Sequence, residues 1–359
     1  MSNTNIPEIP YQVDGCPKSS LRVKNLIGGV PAPLQELRRH ACVVGDTSLI
    51  GVGARRPLLE LMWRSYMVAS SLEETKVNGN EKRWRRSGAY DRMDPSEKGA
   101  ISYFLGMVQC GLVAERVFGV YPLVHVDRVL ELSGHKVPRC SRPDLVGYRR
   151  AVSGSTTVAS GSALFEAKGR TNSGTKAVVA SAVKQVKKPP REVESLVGAD
   201  AIRVASVAHF SDAPIGDKGT KQGSVWRSHL ADPDAGGDDQ CDLERLRVLV
   251  DVAHYLPVVR AFREIEDESR NGGAYRLDVA HDVNGNDFVV ASLLQGGVEI
   301  AIPGKVYSVL ASIEGDLDSK KLEDLRDSVT VELSESFSEV GSVFPAKLND
   351  VQVRWLLDS

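Results

Sequence analysis

Ser162-Ala-Leu-Phe-Glu-Ala-Lys-Gly-Arg170 is the run on which the reading of this chain turns. Ala163 to Phe165 have the apolar character of a short buried strand, and the two-residue period of a strand sends Glu166 and Lys168 from one face. An acid and a base then stand side by side at a strand end. Upstream, Pro143-Asp144-Leu-Val-Gly147 reads as a second short strand, entered through a proline, with Asp144 at its start. Two adjacent strands bring Asp144 beside Glu166 and Lys168. Two carboxylates converging with a lysine supply hard oxygen ligands for Mg²⁺ and an ammonium that can orient an attacking water or stabilise charge at phosphorus.

The flanking elements predict an α/β unit. Asp94-Pro-Ser-Glu97 is a helix start, with an acidic N-cap, proline in the first turn and a capping-box glutamate. The helix should run to about Phe118, burying Ile101, Phe104, Leu105, Val108, Leu112 and Val113, with Gly106 and Gly111 allowing a neighbour to approach closely. Val120 to Leu132 reads as the first core strand, with His125 and Asp127 on one face. The Asp144 strand follows, then a flexible Ser/Gly-rich loop (Ser153 to Thr157, Ser160 to Ser162), then the Glu166 strand. A basic helix from about Thr175 to Lys187 is stopped by Pro189 and Pro190, and Ala201 to Phe210 reads as a fourth strand.

Pro143-Asp144 followed by Glu166-Ala167-Lys168, in the order helix, three strands, helix, strand, resembles the PD-(D/E)XK nuclease superfamily. The resemblance covers Asp94 to Phe210, about a third of the chain. It implies a restriction-endonuclease-like αβββαβ core and a Mg²⁺-dependent nuclease acting on DNA, with Mn²⁺ as an alternative cation. Asp144 and Glu166 would hold the metal, the backbone carbonyl of Ala167 would add a ligand, and Lys168 would position the water. The helix before the first core strand often supplies a further acid, for which Glu97 is the candidate beside its capping role. The helix after the Glu-x-Lys strand often bears a glutamine or lysine bordering the site, and Gln185 fits that place. Such folds are common in bacterial restriction and phage defence. The long loop before Glu166 departs from the pattern. The competing readings are a non-catalytic nucleic-acid-binding or scaffold protein that keeps the fold, and an acidic-tailed interaction protein in which Glu166 and Lys168 form a surface ion pair.

Charge supports a polyanionic partner. The net charge is -2, but 30 Lys+Arg stand against 19 Asp+Glu through residue 210 and 15 against 28 beyond it, so the halves carry +11 and -13. The basic half suits DNA, and the acidic half suits a protein partner or the basic half itself. The basic run Lys82-Arg83-Trp84-Arg85-Arg86 reads as part of a polar link, Lys76 to Arg92, in which Arg83, Arg85 and Arg86 grip a backbone and Trp84 stacks on a base; the bland reading is a solvated loop with one anchoring tryptophan. Arg170 and Lys184 are the further nucleic-acid contacts.

The 359 residues, 42% hydrophobic, suffice for roughly two domains. No apolar run of about 18 residues and no leader pattern stands out, which predicts a cytoplasmic protein without a membrane span. Five scattered cysteines without a CxxC pair argue against a zinc site or a disulfide framework. GxxxxGK[ST], HExxH and GxSxG are absent from the sequence. The expected division is an N-terminal arm and helices (residues 1–93, with helices Leu34 to Cys42 and Pro57 to Leu72), the nuclease-like core (94–210), and an acidic mixed α/β accessory region (211–359). In the last, Ser211 to Asp239 reads as a linker, followed by helices Asp242 to Tyr255 and Val258 to Glu268. A hairpin (Tyr275 to Val279, Phe288 to Leu294) and a strand pair (Val298 to Ile302, Val306 to Leu310) come next, with a short element at Val351 to Leu357. Homo-oligomerisation is left open by the sequence.

Overall fold

The computed structural model describes residues 6–14, 27–44, 57–77, 81–153, 156–172, 176–211, 225–231, 241–270, 275–281, 287–293, 298–313 and 352–355. The chain enters with β1 (Glu8–Asp14) and β2 (Ile27–Pro31), then α1 (Leu34–Val43), α2 (Pro57–Ser71), β3 (Leu72–Val77), β4 (Glu81–Arg86) and α3 (Gly88–Arg92). Helix α4 (Pro95–Val113) continues into a π-helical turn, Ala114–Phe118. After it come β5 (Val120–His125), α5 (Val126–Leu132), β6 (Leu145–Ser153), β7 (Thr156–Arg170), α6 (Lys176–Lys187), α7 (Arg191–Val197), β8 (Ile202–Ser211) and β9 (Val225–Ala231). The long helix α8 (Leu243–Arg270) leads to β10 (Tyr275–His281), β11 (Asp287–Leu293), β12 (Val298–Pro303), α9 (Gly304–Ile313) and β13 (Gln352–Trp355).

The fold is mixed α/β. Nine strands form one large sheet in the order β2-β1-β4-β9-β8-β7-β6-β5, with β3 on β4, and the sheet curls so that β1 reaches both β4 and β9. Within it β5, β6 and β7 are an antiparallel meander, and β8 lies parallel to β7 through the α6 crossover. A second sheet has the order β10-β11-β12-β13. Helix α4 packs on β7 and β8, and α8 packs on β5, β6, β7 and α2.

Helix α4 forms where its signals predict. Asp94 Oδ1 accepts from Ser96 N at 2.6 Å and Glu97 N at 3.1 Å, and Glu97 Oε2 accepts from Asp94 N at 3.1 Å, so orphan amides of the first turn are satisfied. By length and composition the segment Pro95–Phe118 could cross a membrane, yet 72% of its apolar window is buried inside the fold. Leu105, Val108 and Leu112 are fully shielded there, each contributing ~1.5–3 kcal/mol relative to exposure. Glycines set how closely this helix lies on the sheet. A Cβ at Gly169 would stand 1.6 Å from the carbonyl oxygen of Ser102, and one at Gly106 would stand 2.7 Å from Gly169 N. Gly111 makes the same accommodation for His40 and Val44.

Several expectations are corrected. Residues 8–14 and 27–31 form β1 and β2 rather than an arm: the two pair with each other, and β1 also pairs with β9 far along the chain, a partner that leaves no local period. Lys76 to Arg92 is no polar link but holds the end of β3, all of β4 and α3. The strand expected over Val120 to Leu132 stops at His125, whose Nδ1 accepts from Asp127 N at 3.2 Å and caps α5. The described residues of the Ser/Gly-rich stretch before Glu166 belong to paired strands, β6 and β7 pairing out to Ser153 and Thr156 with a register shift between Arg149 and Arg150; residues 154 and 155 lie outside the described residues. The expected pair of helices after residue 242 is one 28-residue helix containing Pro257, held by apolar neighbours such as Leu256, Val258 and Val259 buried on either side. Val306 to Leu310 is helical, within α9. The division expected at residue 211 runs through the large sheet, since β9 pairs with β8. Most of the expected linker Ser211 to Asp239 lies outside the described residues.

Candidate active site

The site arises where β7 outruns its neighbour. Pairing of β6 with β7 ends at Leu145 opposite Phe165, whereas pairing of β7 with β8 continues to Arg170 opposite His209. Ala167 is thus left without a β6 residue on that edge, and Asp144 Oδ2 accepts its N–H at 2.9 Å. A strand residue directs its N–H and C=O to the same side, so the Ala167 carbonyl opens toward Asp144 as well.

Glu166 projects beside this bond. Its side chain is 0% exposed, and Lys168, 27% exposed, sets its ammonium against Glu166 Oε1. The contact is a close ion pair without aligned hydrogen-bond geometry: neither carboxylate oxygen has a hydrogen bond of good geometry among the described residues. Burial pushes the Glu166 carboxyl up, the charge of Asp144 adds to this, and Lys168 opposes it, leaving the group at about 7. Burial raises Asp144 too, against the Ala167 amide, Lys168 and His125. Near neutrality the pair stands at the threshold of holding a proton.

A supporting layer surrounds the acids. Asp144 O accepts from Val126 N at 2.9 Å, tying the strand entry to the start of α5. Arg142 grips Asp127 in bidentate fashion, with Nε to Oδ1 at 2.5 Å, and donates to Pro138 O at 2.8 Å. His125 is held below its ordinary pKa by burial, against Asp127 and Asp144. With Nδ1 accepting from Asp127 N, the neutral ring carries its proton on Nε2. Tyr103, 48% exposed on α4, is within electrostatic reach of the acids: burial first, then Asp144, Glu166 and Asp127, push its hydroxyl to about 12. Sequence reasoning did not select Tyr103 or Arg142. The available signal for Tyr103 was an aromatic out of phase with the buried stripe of Ile101, Phe104, Leu105 and Val108.

Glu97, Arg83 and Arg85 make their contacts elsewhere. Glu97 is exposed and engaged in the helix cap. Gln185 is half-buried on α6 beside the buried Val186. Arg83 is buried within β4 and bonds Glu8 and Glu81, each at 2.9 Å; Arg85 pairs with Glu73 at 2.8 Å. Arg86 donates to Thr171 O at 3.1 Å, just past the end of β7, and lies over Phe210. Trp84 is 3% exposed and donates to Ala32 O at 2.8 Å, so it cannot stack on a base. The basic run is therefore an ion-paired strand and not a solvated loop. Arg170 and Lys184 are exposed.

A divalent cation fits this arrangement. The buried Glu166 oxygens, the second oxygen of Asp144 and the Ala167 carbonyl are hard donors, and a positive charge would relieve the mutual repulsion of the acids. Among the described residues no three His, Cys, Asp or Glu side chains converge on one point, so such an ion would complete its shell with the carbonyl and water.

No family model, no curated protein and no solved structure matches this chain.

Proposed function

We propose that the protein is a Mg²⁺-dependent nuclease that hydrolyses phosphodiester bonds of DNA through Asp144, Glu166 and Lys168. The observation that carries this reading is the buried Glu166 carboxylate beside Asp144, which caps the Ala167 amide, with Lys168 on the same strand face. The order α4, β5, β6, β7, α6, β8, with α5 inserted after β5 and α7 before β8, and with an antiparallel meander followed by a parallel strand, supports a restriction-endonuclease-like core of the resembled superfamily.

In this reading Asp144, Glu166 and the Ala167 carbonyl hold the cation. Held there, the cation would supply Lewis acidity at the phosphate and lower the pKa of bound water. Lys168, partly exposed at the rim, orients the attacking water or stabilises charge at phosphorus. Asp144 and the Ala167 amide fix the strand end against which these groups are aligned. His125 and the Arg142–Asp127 pair hold the loop that carries Asp144. The test is incubation of the purified protein with plasmid and linear DNA in Mg²⁺, in Mn²⁺ or in EDTA. Metal-dependent cleavage supports the reading, and intact DNA under all three conditions overturns it.

A second reading, a non-catalytic nucleic-acid-binding protein, is favoured by one feature: the Lys168 ammonium already occupies Glu166 Oε1, where a cation would bind. DNA binding without cleavage would select it.

A further inference from the structure

From Arg170 to Arg191 the chain carries six cationic side chains, Arg170, Lys176, Lys184, Lys187, Lys188 and Arg191, and no Asp or Glu. All six are exposed. Among the described residues none of these six side chains has an ion pair or a hydrogen bond. The basic residues of β4 differ, since Arg83 is bound by Glu8 and Glu81 and Arg85 by Glu73. Charge that acids cancel on β4 is left facing solvent on and around α6.

Helical geometry gathers this charge on one side. At about 100° per residue, Lys176, Lys184 and Lys187 fall within about 80° of one another, with the exposed Ala180 between them. The opposite side of α6 buries Ala182 and Val186. The helix lies on the sheet face that bears Glu166: Arg203 is the register partner of Leu164, two residues before Glu166 on the same face, and donates to Lys187 O at 2.7 Å. Because β7 and β8 are parallel, the helix between them runs opposite to both, so its Lys176 end lies toward the end of β7 at which Lys168 and Arg170 emerge. Its twelve residues span about 18 Å, the length of roughly five base pairs of duplex.

The character of the face selects its partner. Its exposed positions between the lysines are small, Ala177, Ala180 and Ser181, and no large apolar side chain is exposed on α6. A helix that seats in a bilayer surface needs an apolar face to bury there, and a protein interface needs an aromatic or apolar anchor. Phosphates need neither, only cations spaced along the polymer. We infer that the lysine face of α6, with Arg170 at one end and Lys188 and Arg191 at the other, binds the phosphate backbone of a nucleic-acid duplex. This deepens the nuclease reading by naming where the substrate lies beside the Asp144–Glu166 pair, but the contacts themselves require neither the acids nor a metal. Contacts of this kind position the polymer and carry no base sequence information.

The experiment is fluorescence anisotropy of a labelled duplex oligonucleotide with the full chain in EDTA, over a series of salt concentrations, beside co-sedimentation with phosphatidylserine vesicles. Mg²⁺-dependent cleavage is followed separately. Lys176→Ala, Lys184→Ala and Lys187→Ala combined should weaken duplex binding about tenfold or more at moderate salt and flatten the slope of log affinity against log salt by about 3, one unit per lost phosphate contact. All three positions are exposed and alanine favours helix, so the fold should be kept. Lys176→Arg, Lys184→Arg and Lys187→Arg combined should keep the parental affinity and slope, which separates lost charge from lost folding. Unchanged affinity or an unchanged slope in the alanine variant overturns the inference, as does a loss that the arginine variant shares. Vesicle binding without duplex binding overturns it in favour of a membrane surface. Weakened, arginine-rescued binding in a protein that cuts nothing supports the lysine face and overturns the nuclease reading alone.

Discussion

Asp144 accepts the backbone N–H of Ala167 at 2.9 Å, and this bond caps the edge of β7 at the point where β6 stops. One carboxylate thereby does two things: it satisfies a strand amide and brings a negative charge against the buried Glu166. Removing it should have a structural and a chemical consequence. Asp144→Asn can keep an oxygen toward the amide while losing the charge, and should abolish metal-dependent cleavage with the fold intact. Glu166→Gln should do the same. Glu166→Ala is the poorer test, because a side chain that is 0% exposed leaves a cavity when truncated. Parental cleavage rates in either amide variant would remove that residue from the site.

The folded-state pKa of Glu166, about 7, lies above its ordinary 4.5, so the folded protein holds this proton more tightly than the unfolded chain does. The group's contribution to stability is fully present below about 4.5 and is lost as pH rises through about 7. Denaturant midpoints of the metal-free protein should therefore fall across that window, and Glu166→Gln should remove much of the slope and stabilise the protein above it. Mg²⁺ should raise the midpoint of the parent most at the alkaline end and raise that of Glu166→Gln much less. A flat parental profile would mean that Glu166 titrates in its ordinary range.

Gly169→Ala tests how the site is seated. The added Cβ would meet the Ser102 carbonyl oxygen at 1.6 Å, a backbone-to-backbone clash that no rotamer relieves. The expected cost is about 3 kcal/mol or more, because α4 must lift from β7 beside Lys168. Gly99→Ala on the same helix, with nothing within 4 Å of the new Cβ, is the control and should be neutral or slightly stabilising. Equal midpoints for the two variants would contradict the packing described here.

Much of this was legible in the sequence because it is local. The Asp94 cap, the stripe of α4 and the position of Glu166 beside Lys168 follow from short-range spacing. The pairing of Asp144 with Ala167 was not legible, since it depends on where β6 ends relative to β7. Arg83, Arg85 and Trp84 were placed in a loop for the same reason: a strand's partners, here Glu8, Glu73 and Ala32, decide whether such residues stand in solvent or are paired within a sheet. Loops rich in Ser and Gly suggested breaks where pairing imposed strand, as in β7. The break at His125 came from a side chain capping the next helix, an alternative that strand propensity alone does not contain.

Glu97 separates a cap from a ligand. Its carboxylate accepts from Asp94 N at 3.1 Å on the exposed end of α4. Glu97→Gln preserves a capping acceptor and should leave both stability and any cleavage rate within error of the parent. Asp94→Ala removes two amide contacts and should cost ~1 kcal/mol. A large loss of cleavage in Glu97→Gln would restore the acid to the metal site.

Lys168 is expected to act on the chemical step, and its contact with Glu166 makes the prediction specific. The ammonium sits against Glu166 Oε1 and opposes the rise in that group's pKa. In the proposed reading a cation held by Glu166 would compete with the ammonium for Oε1, and Lys168, partly exposed, would be left to face water or phosphate. Lys168→Ala should therefore cost about a hundredfold or more in single-turnover rate, the usual scale for removing an electrostatic stabiliser. It should also shift the acidic limb of the pH–rate profile upward, because Glu166 loses the charge that holds it down. Lys168→Arg should rescue incompletely, since a planar fork does not replace a compact point charge. A purely structural role predicts no such shift in the pH profile. If Lys168→Ala cleaves at the parental rate, the catalytic assignment of this lysine fails, and a profile that still shifts would leave the ion pair as an internal neutralisation of Glu166.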